Sequence, residues 1–351
     1  LRLLVLCLAT AVGIAVWVNW ESLAPSGLYD WMEDTFLGGV KGEGFPVPIS
    51  GSKVISMSPV SNCLAVLTDT SLLMVNHSGG EVANRSHTFT KPILETADQY
   101  ALLAELGGTR FQLETKRKTV YSLRAEAEMV AASVSDKGYV GLITRSHLGY
   151  VSDIVVYNPE GKLIFRRSSG EVLVDIAVRS DGQQVAVIAV GAENGAMVSS
   201  LQVFSTREKQ EQPTASYTGR EVMLMAVRYL SGHTVAAVGD TESWLMDIPS
   251  NTCKTRSYGG QQLLGYAISD EGILTAVRPK GTSSGGQLLL LDAEAPQRPA
   301  VAFEGTYRDV HAKGQQFWLL TESGLHTLTP ERLKQQGQWA AGGLMVSSMR
   351  D

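Results

Sequence analysis

Cysteine is scarce in this 351-residue sequence, which contains only Cys7, Cys63 and Cys253. Three cysteines so far apart give neither a disulfide framework nor a CxxC pair of the zinc-binding type. We therefore expect Cys63 and Cys253 to be buried thiols rather than a disulfide. The six histidines form no HExxH motif, and neither a phosphate-binding loop nor a dinucleotide-binding glycine motif occurs. The sequence thus predicts no metal and no cofactor, and it assigns no catalytic residue.

An excess of basic residues is also lacking. The chain has 30 Lys and Arg against 35 Asp and Glu, a formal net charge of -5. Nucleic-acid binding requires a concentrated basic face to neutralise phosphates, so we expect no nucleic-acid partner. Two short basic runs, at residues 116–118 and 166–167, are interpreted as solvated strand ends or loops.

One segment matches the residue pattern of a catalytic motif but not the structural context that the motif requires. Residues 281–285 read GTSSG, which matches the G-x-S-x-G nucleophile elbow. That motif needs a strand that leads into a helix, so that a strained turn exposes the serine. Here strand-like runs stand on both sides, and we interpret the pattern as a hairpin loop.

A long uncharged run stands at the beginning of the sequence. Residues 3–18 contain no charge, and apolar character continues to Leu23. About 20 residues are enough to cross the hydrocarbon core of a bilayer. Trp17 and Trp20 suit the aromatic belt at a membrane interface. We predict a single transmembrane anchor at residues 1–23, with Leu3, Trp17, Val18 and Trp20 in contact with lipid.

The charges around this run predict its orientation. Arg2 precedes it, whereas the charged residues that follow before Lys41 are all acidic: Glu21, Asp30, Glu33 and Asp34. By the positive-inside rule the following domain lies on the extracytoplasmic side of the cell membrane. A cleaved signal peptide is the alternative, although no clean A-x-A site follows and Pro25 would obstruct cleavage after Ala24.

Residues 24–44 are predicted to form a short helix and a linker. Leu28, Trp31, Met32 and Phe36 have helical spacing. The acidic residues between them would be repelled by anionic lipid, which favours packing against protein over lying on the membrane. The glycines and prolines of "GGVKGEGFPVP" are typical of a linker.

From residue 45 the pattern changes to short β-strands. "AVRSDGQQVAVIAV" at residues 177–190 predicts a hairpin, with a polar turn between two apolar strands. Similar segments begin near residues 56, 93, 132, 226, 267 and 308. Their turns lie at Asn62, Asp98, Lys137, Asp181, Gly232, Glu271 and Gly314, at intervals of 36, 39, 44, 51, 39 and 43 residues.

Such a period, with four strands per repeat, is typical of a β-propeller blade. We therefore predict an all-β, seven-bladed β-propeller at residues 45–335, preceded by the transmembrane helix and followed by a tail at 336–351. A two-sheet sandwich array explains the regular spacing less well. The longest interval contains a polar insert at 206–214, and "FPVPIS" at 45–50 could supply an outer strand to the last blade, although the sequence leaves open which strand closes the ring.

The repeated turns carry the sequence's most regular acidic residues. Carboxylates on one rim of a propeller could bind a cation, but Asp before Gly is also what a tight turn prefers. We therefore assign the turn residues a structural role: Asp136, Gly138, Asp181, Gly182, Gly232, Asp270 and Gly272.

These features together resemble an uncharacterised family of Gram-positive bacterial membrane-anchored proteins. The resemblance rests on the N-terminal apolar run, the segment "GEGFPVPISG" and the run of "SDxG"-type hairpins. It implies a propeller related to the WD40 and YVTN-type folds and a location at the membrane. It implies no activity and no functional residue.

Two classes of function follow. The first is a scaffold whose rim and central opening bind an extracytoplasmic protein, peptide or glycan. The alternative is an enzyme in the central channel: a quinone-cofactor dehydrogenase, a lyase or a hydrolase. Three or more ionisable side chains facing one another in the channel would count against the scaffold, whereas a broad exposed apolar patch on one rim would support it.

Overall fold

The computed structural model describes residues 40–49, 53–146, 149–207, 212–294, 298–314 and 316–328. Every regular element among them is a β-strand, and the 27 strands form seven separate antiparallel sheets. Six sheets have four strands each and the seventh has three described strands. The predicted seven-bladed β-propeller is therefore confirmed.

Each sheet is one blade, and its strands follow one another along the chain. Blade 1 comprises β1 (Val54–Val60), β2 (Cys63–Thr68), β3 (Ser71–Asn76) and β4 (Glu81–Ser86). Blade 2 comprises β5 (Pro92–Ala97), β6 (Tyr100–Glu105), β7 (Arg110–Glu114) and β8 (Thr119–Arg124). Blade 3 comprises β9 (Met129–Val134), β10 (Val140–Arg145), β11 (Ser152–Tyr157) and β12 (Leu163–Ser169). Blade 4 comprises β13 (Val172–Val178), β14 (Gln184–Glu193), β15 (Ala196–Ser205) and β16 (Ala215–Arg220).

Blade 5 comprises β17 (Leu224–Tyr229), β18 (Thr234–Gly239), β19 (Glu242–Asp247) and β20 (Thr252–Ser257). Blade 6 comprises β21 (Gln262–Ser269), β22 (Gly272–Arg278), β23 (Gly286–Leu291) and β24 (Val301–Phe303). Blade 7 comprises β25 (Tyr307–Lys313), β26 (Gln316–Thr321) and β27 (Gly324–Leu328).

The second strand of each blade is the most deeply buried, because neighbouring blades cover both of its faces. In β18, Val235, Ala236, Ala237 and Val238 are all fully buried. Small residues suit this position, since the blades converge toward the axis of the ring. Burial on both faces also explains why these strands read as continuous apolar runs in the sequence.

The first strands surround the central axis, because those of successive blades lie against one another through most of the ring. All of them run in the same direction. We call the side where they begin the start face. The side with the hairpin turns between first and second strands is called the turn face.

Six of the seven first strands contain a β-bulge near the start face. In β1, Val54 pairs with Thr68 and Ser56 with Leu67, which leaves Ile55 as the extra residue. The extra residues in the other blades are Val130, Val174, Met225, Leu264 and Arg308. A bulge adds twist and turns a side chain away from the regular pleat.

Two turn glycines pack against tyrosines of the preceding blade. A Cβ on Gly182 would lie 2.3 Å from the ring of Tyr139, and one on Gly138 would lie 2.8 Å from the ring of Tyr100. Both glycines have positive φ, at 68° and 81°. The turn glycine therefore serves the contact between blades as well as its own hairpin.

The expected closing strand is not part of a sheet. Residues 45–49 have no strand assignment. Instead, Val47 and Ile49 pack against Val66, Leu73 and Val75 of blade 1. The prediction that 45–50 completes blade 7 is therefore wrong for the described part of this segment, because its apolar side chains cover a face of blade 1.

The long interval in blade 4 has two causes, of which the sequence identified one. The loop between β15 and β16 contains the predicted insert, of which residues 208–211 lie outside the described residues. In addition, β14 and β15 have 10 residues each, against 6 for their counterparts in blade 5. This hairpin therefore extends beyond the other blades on the start face.

The predicted membrane anchor, with Leu3, Trp17, Val18 and Trp20, and the predicted tail at 336–351 lie outside the described residues. Within the described ranges, no helix is long and apolar enough to cross a membrane.

Candidate functional site

The central channel contains an arginine bound to carboxylates from two other blades. Arg228 Nη2 donates to Glu95 Oε2 at 2.8 Å. Blades 5 and 2 are three positions apart in a ring of seven, so this ion pair crosses the channel. Arg228 Nη1 also lies 3.4 Å from Asp175 Oδ2, and the same oxygen accepts a 2.7 Å hydrogen bond from the Val227 amide. Arg228 thus links blades 2, 4 and 5.

The channel environment shifts the pKa of all three groups. Burial raises the pKa of Glu95, which Arg228 acts to lower and Asp175 to raise. Burial likewise raises the pKa of Asp175, against the attraction of Arg228. Burial acts to lower the pKa of Arg228, but Glu95 and Asp175 raise it above its ordinary value. The side chains of Glu95 and Arg228 are 30% and 40% exposed. This exposed surface faces the open channel, whereas protein surrounds the rest of each side chain.

Glu95 and Arg228 occupy equivalent positions in their blades. Each pairs with the third residue of its second strand, Leu102 and Ala236 respectively. Arg228 lies three residues after the bulge residue of its strand, and the same position in the other bulged strands carries Ser58, Ser133, Ala177, Ala267 and His311. Five of the seven positions at this level are therefore polar, and Ser58 Oγ lies 2.6 Å from Thr96 Oγ1 of the next blade.

A cavity of about 370 Å³ opens at the turn-face mouth of this channel. Its lining comes from blades 2 to 6 and includes Glu95, Ser133, Arg179, Arg228, Tyr229 and Asp270. Ser133 is 97% buried, with a relative exposure of 3%. The hydroxyls of Ser133 and Tyr229 are both buried without a hydrogen-bond partner in the described part of the chain. Burial raises the pKa of Tyr229, so its phenol stays protonated.

The structure brings several of the predicted turn residues to this mouth. Asp136, Gly232 and Asp270 line the cavity directly. The turn residues Gly138, Asp181, Gly182 and Gly272 lie in the same row of hairpins. Gly232 has open space around it and no positive φ, so glycine is not required there.

Asp181 is held by its own hairpin. Arg179 binds it through two hydrogen bonds, Nε to Oδ1 at 2.7 Å and Nη2 to Oδ2 at 2.9 Å. Arg179 Nη1 also donates to the carbonyl of Gly232 in the next blade at 3.3 Å. Burial acts to raise the pKa of Asp181, but Arg179 and the Gln183 amide hold it below its ordinary value. Asp181 is therefore engaged within its own hairpin, by the Arg179 guanidinium and the Gln183 amide.

Around the channel on the start face, several apolar side chains are exposed. We call five of them the apolar collar: Ile55 (43% exposed), Val130 (39%), Val172 (51%), Met223 (43%) and Met225 (42%). Ile55, Val130 and Met225 are bulge residues. Val172 begins β13 and Met223 directly precedes β17. The two mouths of the channel therefore differ in chemistry, with charged and polar residues at the turn-face mouth and exposed apolar side chains around the start-face mouth.

Sequence reasoning missed Glu95, Asp175 and Arg228. They stand in inner strands where the motif search found only repeats, and the one available signal was charge inside an otherwise apolar strand, as in "LMAVRY". The basic run at 116–118 lies in the loop between β7 and β8, where Arg117 and Lys118 are exposed and only Lys116 is buried. The GTSSG segment lies in the loop between β22 and β23.

Over the described ranges, no cluster of three or more His, Cys, Asp or Glu side chains is arranged to hold a metal ion.

Comparisons with known proteins bear on the fold. A model described as a family of unknown function (DUF5711) matches residues 48–332. A chain of Kuenenia stuttgartiensis hydrazine synthase is similar in structure, with a TM-score of 0.51 and 10% identity over 82% of this chain and 98% of that one. A chain of a mitotic checkpoint complex gives 0.52 and 13%, over 81% and 98%.

The WD40 domain of Neurospora crassa Pan2 gives a TM-score of 0.44 and 15% identity, over 63% of this chain and 71% of that chain. No curated protein matches the sequence. At 10% and 13% identity, the similarities to the hydrazine synthase chain and the checkpoint-complex chain show a shared fold only.

Proposed function

We propose that this chain, which belongs to the DUF5711 family of unknown function, is a membrane-anchored extracytoplasmic scaffold that binds a protein partner on its start face. The apolar collar is the observation that carries the proposal. Soluble proteins seldom expose grouped apolar side chains unless they bind another molecule there. Ile55, Val130 and Met225 come from three different blades, so the collar is a surface made by the ring and not by one loop.

The location of the first described residues favours a protein over the bilayer as the partner. The Val40 carbonyl accepts a hydrogen bond from Asn76, and Gly44 N donates to the Ser78 carbonyl. The turn between β3 and β4 that contains Ser78 lies on the turn face. An anchor upstream of residue 40 is therefore connected to the side of the ring opposite to the collar.

Site-specific crosslinking of the full chain in its native membrane tests this proposal. A photoreactive residue at Met225 should capture one stoichiometric partner, and the same residue at Leu163 should not. Leu163 is similarly exposed, at 40%, but lies on the outer strand β12. Val130→Glu should abolish capture from Met225. Equal capture from both positions, or capture unchanged by Val130→Glu, would contradict the collar as the binding surface.

Topology is tested separately. A cysteine introduced at Arg207, an exposed residue in the insert of blade 4, should react with a membrane-impermeant reagent in intact cells. Protection of this cysteine until the cells are lysed would overturn the extracytoplasmic orientation.

A catalytic channel is the second candidate function. It is favoured by Glu95, Asp175 and Arg228, which meet the expectation of three ionisable groups facing one another. Carboxylates with raised pKa values are also frequent in active sites. However, Arg228 already pairs with both carboxylates, so a substrate would have to displace an existing ion pair. Turnover in a substrate screen that is lost in Glu95→Gln, together with failure to crosslink a partner, would reverse the ranking.

A further inference from the structure

The long hairpin of blade 4, β14 and β15, forms a wall beside the start face of blade 5. Val185 of β14 and Val235 of β18 each pair with the last residue of the first strand of their blade, so the two second strands begin at the same level. Because β14 has 10 residues and β18 has 6, the additional residues lie at the start-face end. At about 3.3 Å per residue the wall rises about 13 Å, close to the diameter of an α-helix of about 10–12 Å.

The side of this wall that faces blade 5 is apolar. Val190 packs against the core that blades 4 and 5 share, and Ala192 is the next residue on the same side of the strand. Ala192 pairs with Met197 across the hairpin, so the two side chains lie on one side. Met197 is 43% exposed. The wall therefore presents an exposed methionine toward blade 5.

The surface at the foot of the wall is apolar as well. It consists of Met223 and Met225 of the apolar collar, which are 43% and 42% exposed. The Glu221 amide donates to the Met197 carbonyl at 2.8 Å, so the wall meets this surface two residues before Met223. Methionine side chains are flexible, and methionine-rich surfaces are suited to receive the apolar side of an amphipathic helix. We call Met197, Met223 and Met225 together the methionine corner.

The charges around the methionine corner are mostly acidic. Residues 189–199, 218–225 and 238–243 contain four acids and one base, namely Glu193, Glu221, Asp240 and Glu242 against Arg220. Arg220 already pairs with Glu193 at 2.7 Å. Glu221 and Asp240 are exposed, and neither has an ion pair within the described ranges.

Both of these acids lie beside the exposed methionines. Asp240 Oδ1 accepts a 2.8 Å hydrogen bond from the Met223 amide, and Glu221 bonds to Met197 through its own amide. The corner thus combines apolar contact on two adjacent sides with negative charge at its border. Complementary charge favours the correct partner and suppresses like-charged ones.

We propose that the methionine corner binds a basic amphipathic helix of the protein partner. The apolar side of the helix contacts Met197, Met223 and Met225, and its Lys and Arg side chains pair with Glu221 and Asp240. This inference rests on the proposed function, because it specifies the chemistry of the partner that binds the start face. The height of the wall matches one helix, which is why a single helix is the expected occupant.

Mapping of a crosslink at residue 197 tests the proposal. The full chain carries a photoreactive residue at Met197 in its native membrane, and mass spectrometry of the digested product identifies the linked partner residues. We expect a segment with apolar residues at positions i, i+3, i+4 and i+7 and with more Lys and Arg than Asp and Glu. A linked segment with the alternation of a strand, or with an excess of acids, overturns the proposal.

A photoreactive residue at Met225 distinguishes this proposal from the proposed function. Capture of a partner from Met225 but not from Met197 overturns the helix site alone, because the partner then binds the collar without touching the wall. Capture from neither position overturns the scaffold function together with the helix site.

Neutralisation of the two acids tests the role of charge. Glu221→Gln combined with Asp240→Asn should lower the crosslink yield at Met197 about threefold to tenfold, as expected for two exposed charge pairs. Asparagine at residue 240 keeps an oxygen that can accept from the Met223 amide, so the local structure should persist.

The matched control is Glu81→Gln combined with Glu304→Gln. These two acids are exposed, on β4 and before β25, and their loss changes the net charge by the same amount. The control should leave the crosslink yield unchanged. Equal losses in the two double variants, or no loss in the first, would contradict pairing of the partner with Glu221 and Asp240 and overturn the proposal.

Discussion

Arg228 in blade 5 and Glu95 in blade 2 form a 2.8 Å ion pair across the channel of the ring. The two residues are 133 positions apart in the sequence. Because Asp175 shares the same guanidinium, one side chain holds three blades together at the axis.

Arg228→Met should lower the free energy of unfolding by about 1 to 2 kcal/mol at neutral pH, between the values for exposed and buried pairs. The acids Glu95 and Asp175 have raised pKa values in the folded protein, from ordinary values of 4.5 and 3.8. Raised pKa values mean that the folded protein holds these two protons more tightly than the unfolded chain does. Its stability therefore falls as the pH rises from the ordinary pKa values to the raised ones.

Without Arg228 the rise in both pKa values should be larger. The loss of unfolding free energy caused by Arg228→Met should therefore become smaller as the pH falls toward the ordinary carboxyl pKa values. Urea unfolding at a series of pH values measures this loss. Arg145→Met, which removes an exposed pair with Glu128, is the control and should show little effect at any pH. A deficit independent of pH would contradict the assigned role of Arg228.

Gly182→Ala should destabilise the protein by about 1 to 3 kcal/mol, since it adds a methyl group against Tyr139 and imposes positive φ on alanine. Gly232→Ala, at a turn with free space and ordinary φ, should change stability by less than about 0.5 kcal/mol. Thermal unfolding of the two variants gives the comparison. Equal losses would show that the contact between blades is not what requires glycine at residue 182.

Ser199→Ala should destabilise the protein by about 1 to 3 kcal/mol. The Ser199 hydroxyl donates to the Val222 carbonyl at 2.8 Å and accepts from the Leu224 amide at 3.1 Å, and Ser199 is fully buried. Alanine would leave both backbone groups unpaired at the link between blades 4 and 5. The neighbouring Ser200→Ala removes only a contact with Gln202, and chemical denaturation should show a clearly smaller loss.

Cys253 should react slowly with thiol reagents in the folded protein. It is a free cysteine, and burial raises its pKa to about 12, whereas the thiolate is the reactive form. Alkylation at about pH 8 followed by peptide mapping should label Cys253 only after denaturation. Rapid labelling of the native protein would show that β20 opens readily at this position.

The fold was predictable because the same local pattern occurs seven times. Each copy, such as "AVRSDGQQVAVIAV", carries its own strand periodicity and its own turn chemistry, and the period of the copies identifies the architecture. The position of the segment "FPVPIS" was not predictable. Its apolar residues alternate as in a strand, but two of them, Val47 and Ile49, pack against blade 1 instead of completing blade 7. Alternation shows that a segment is half-buried and does not show which surface covers it.

The candidate sites were largely hidden for a related reason. The equivalent turns of the repeat already placed Asp136 and Asp270 on one rim, and the structure shows that both line the mouth of the channel, whereas nothing in the repeat indicated Glu95, Asp175 or Arg228. The membrane anchor, the extracytoplasmic location and the Gram-positive origin remain predictions that depend on residues 1–39 and on resemblance.

The sequence by itself determined the repeat and the number of blades, because strand periodicity and turn chemistry act over a few neighbouring residues. Only the tertiary structure decided that Arg228 meets Glu95, that Gly182 meets Tyr139, and that the two mouths of the channel differ in chemistry. These relationships join residues of different blades. Closure of the ring creates them, and no local pattern encodes which residues then lie opposite each other.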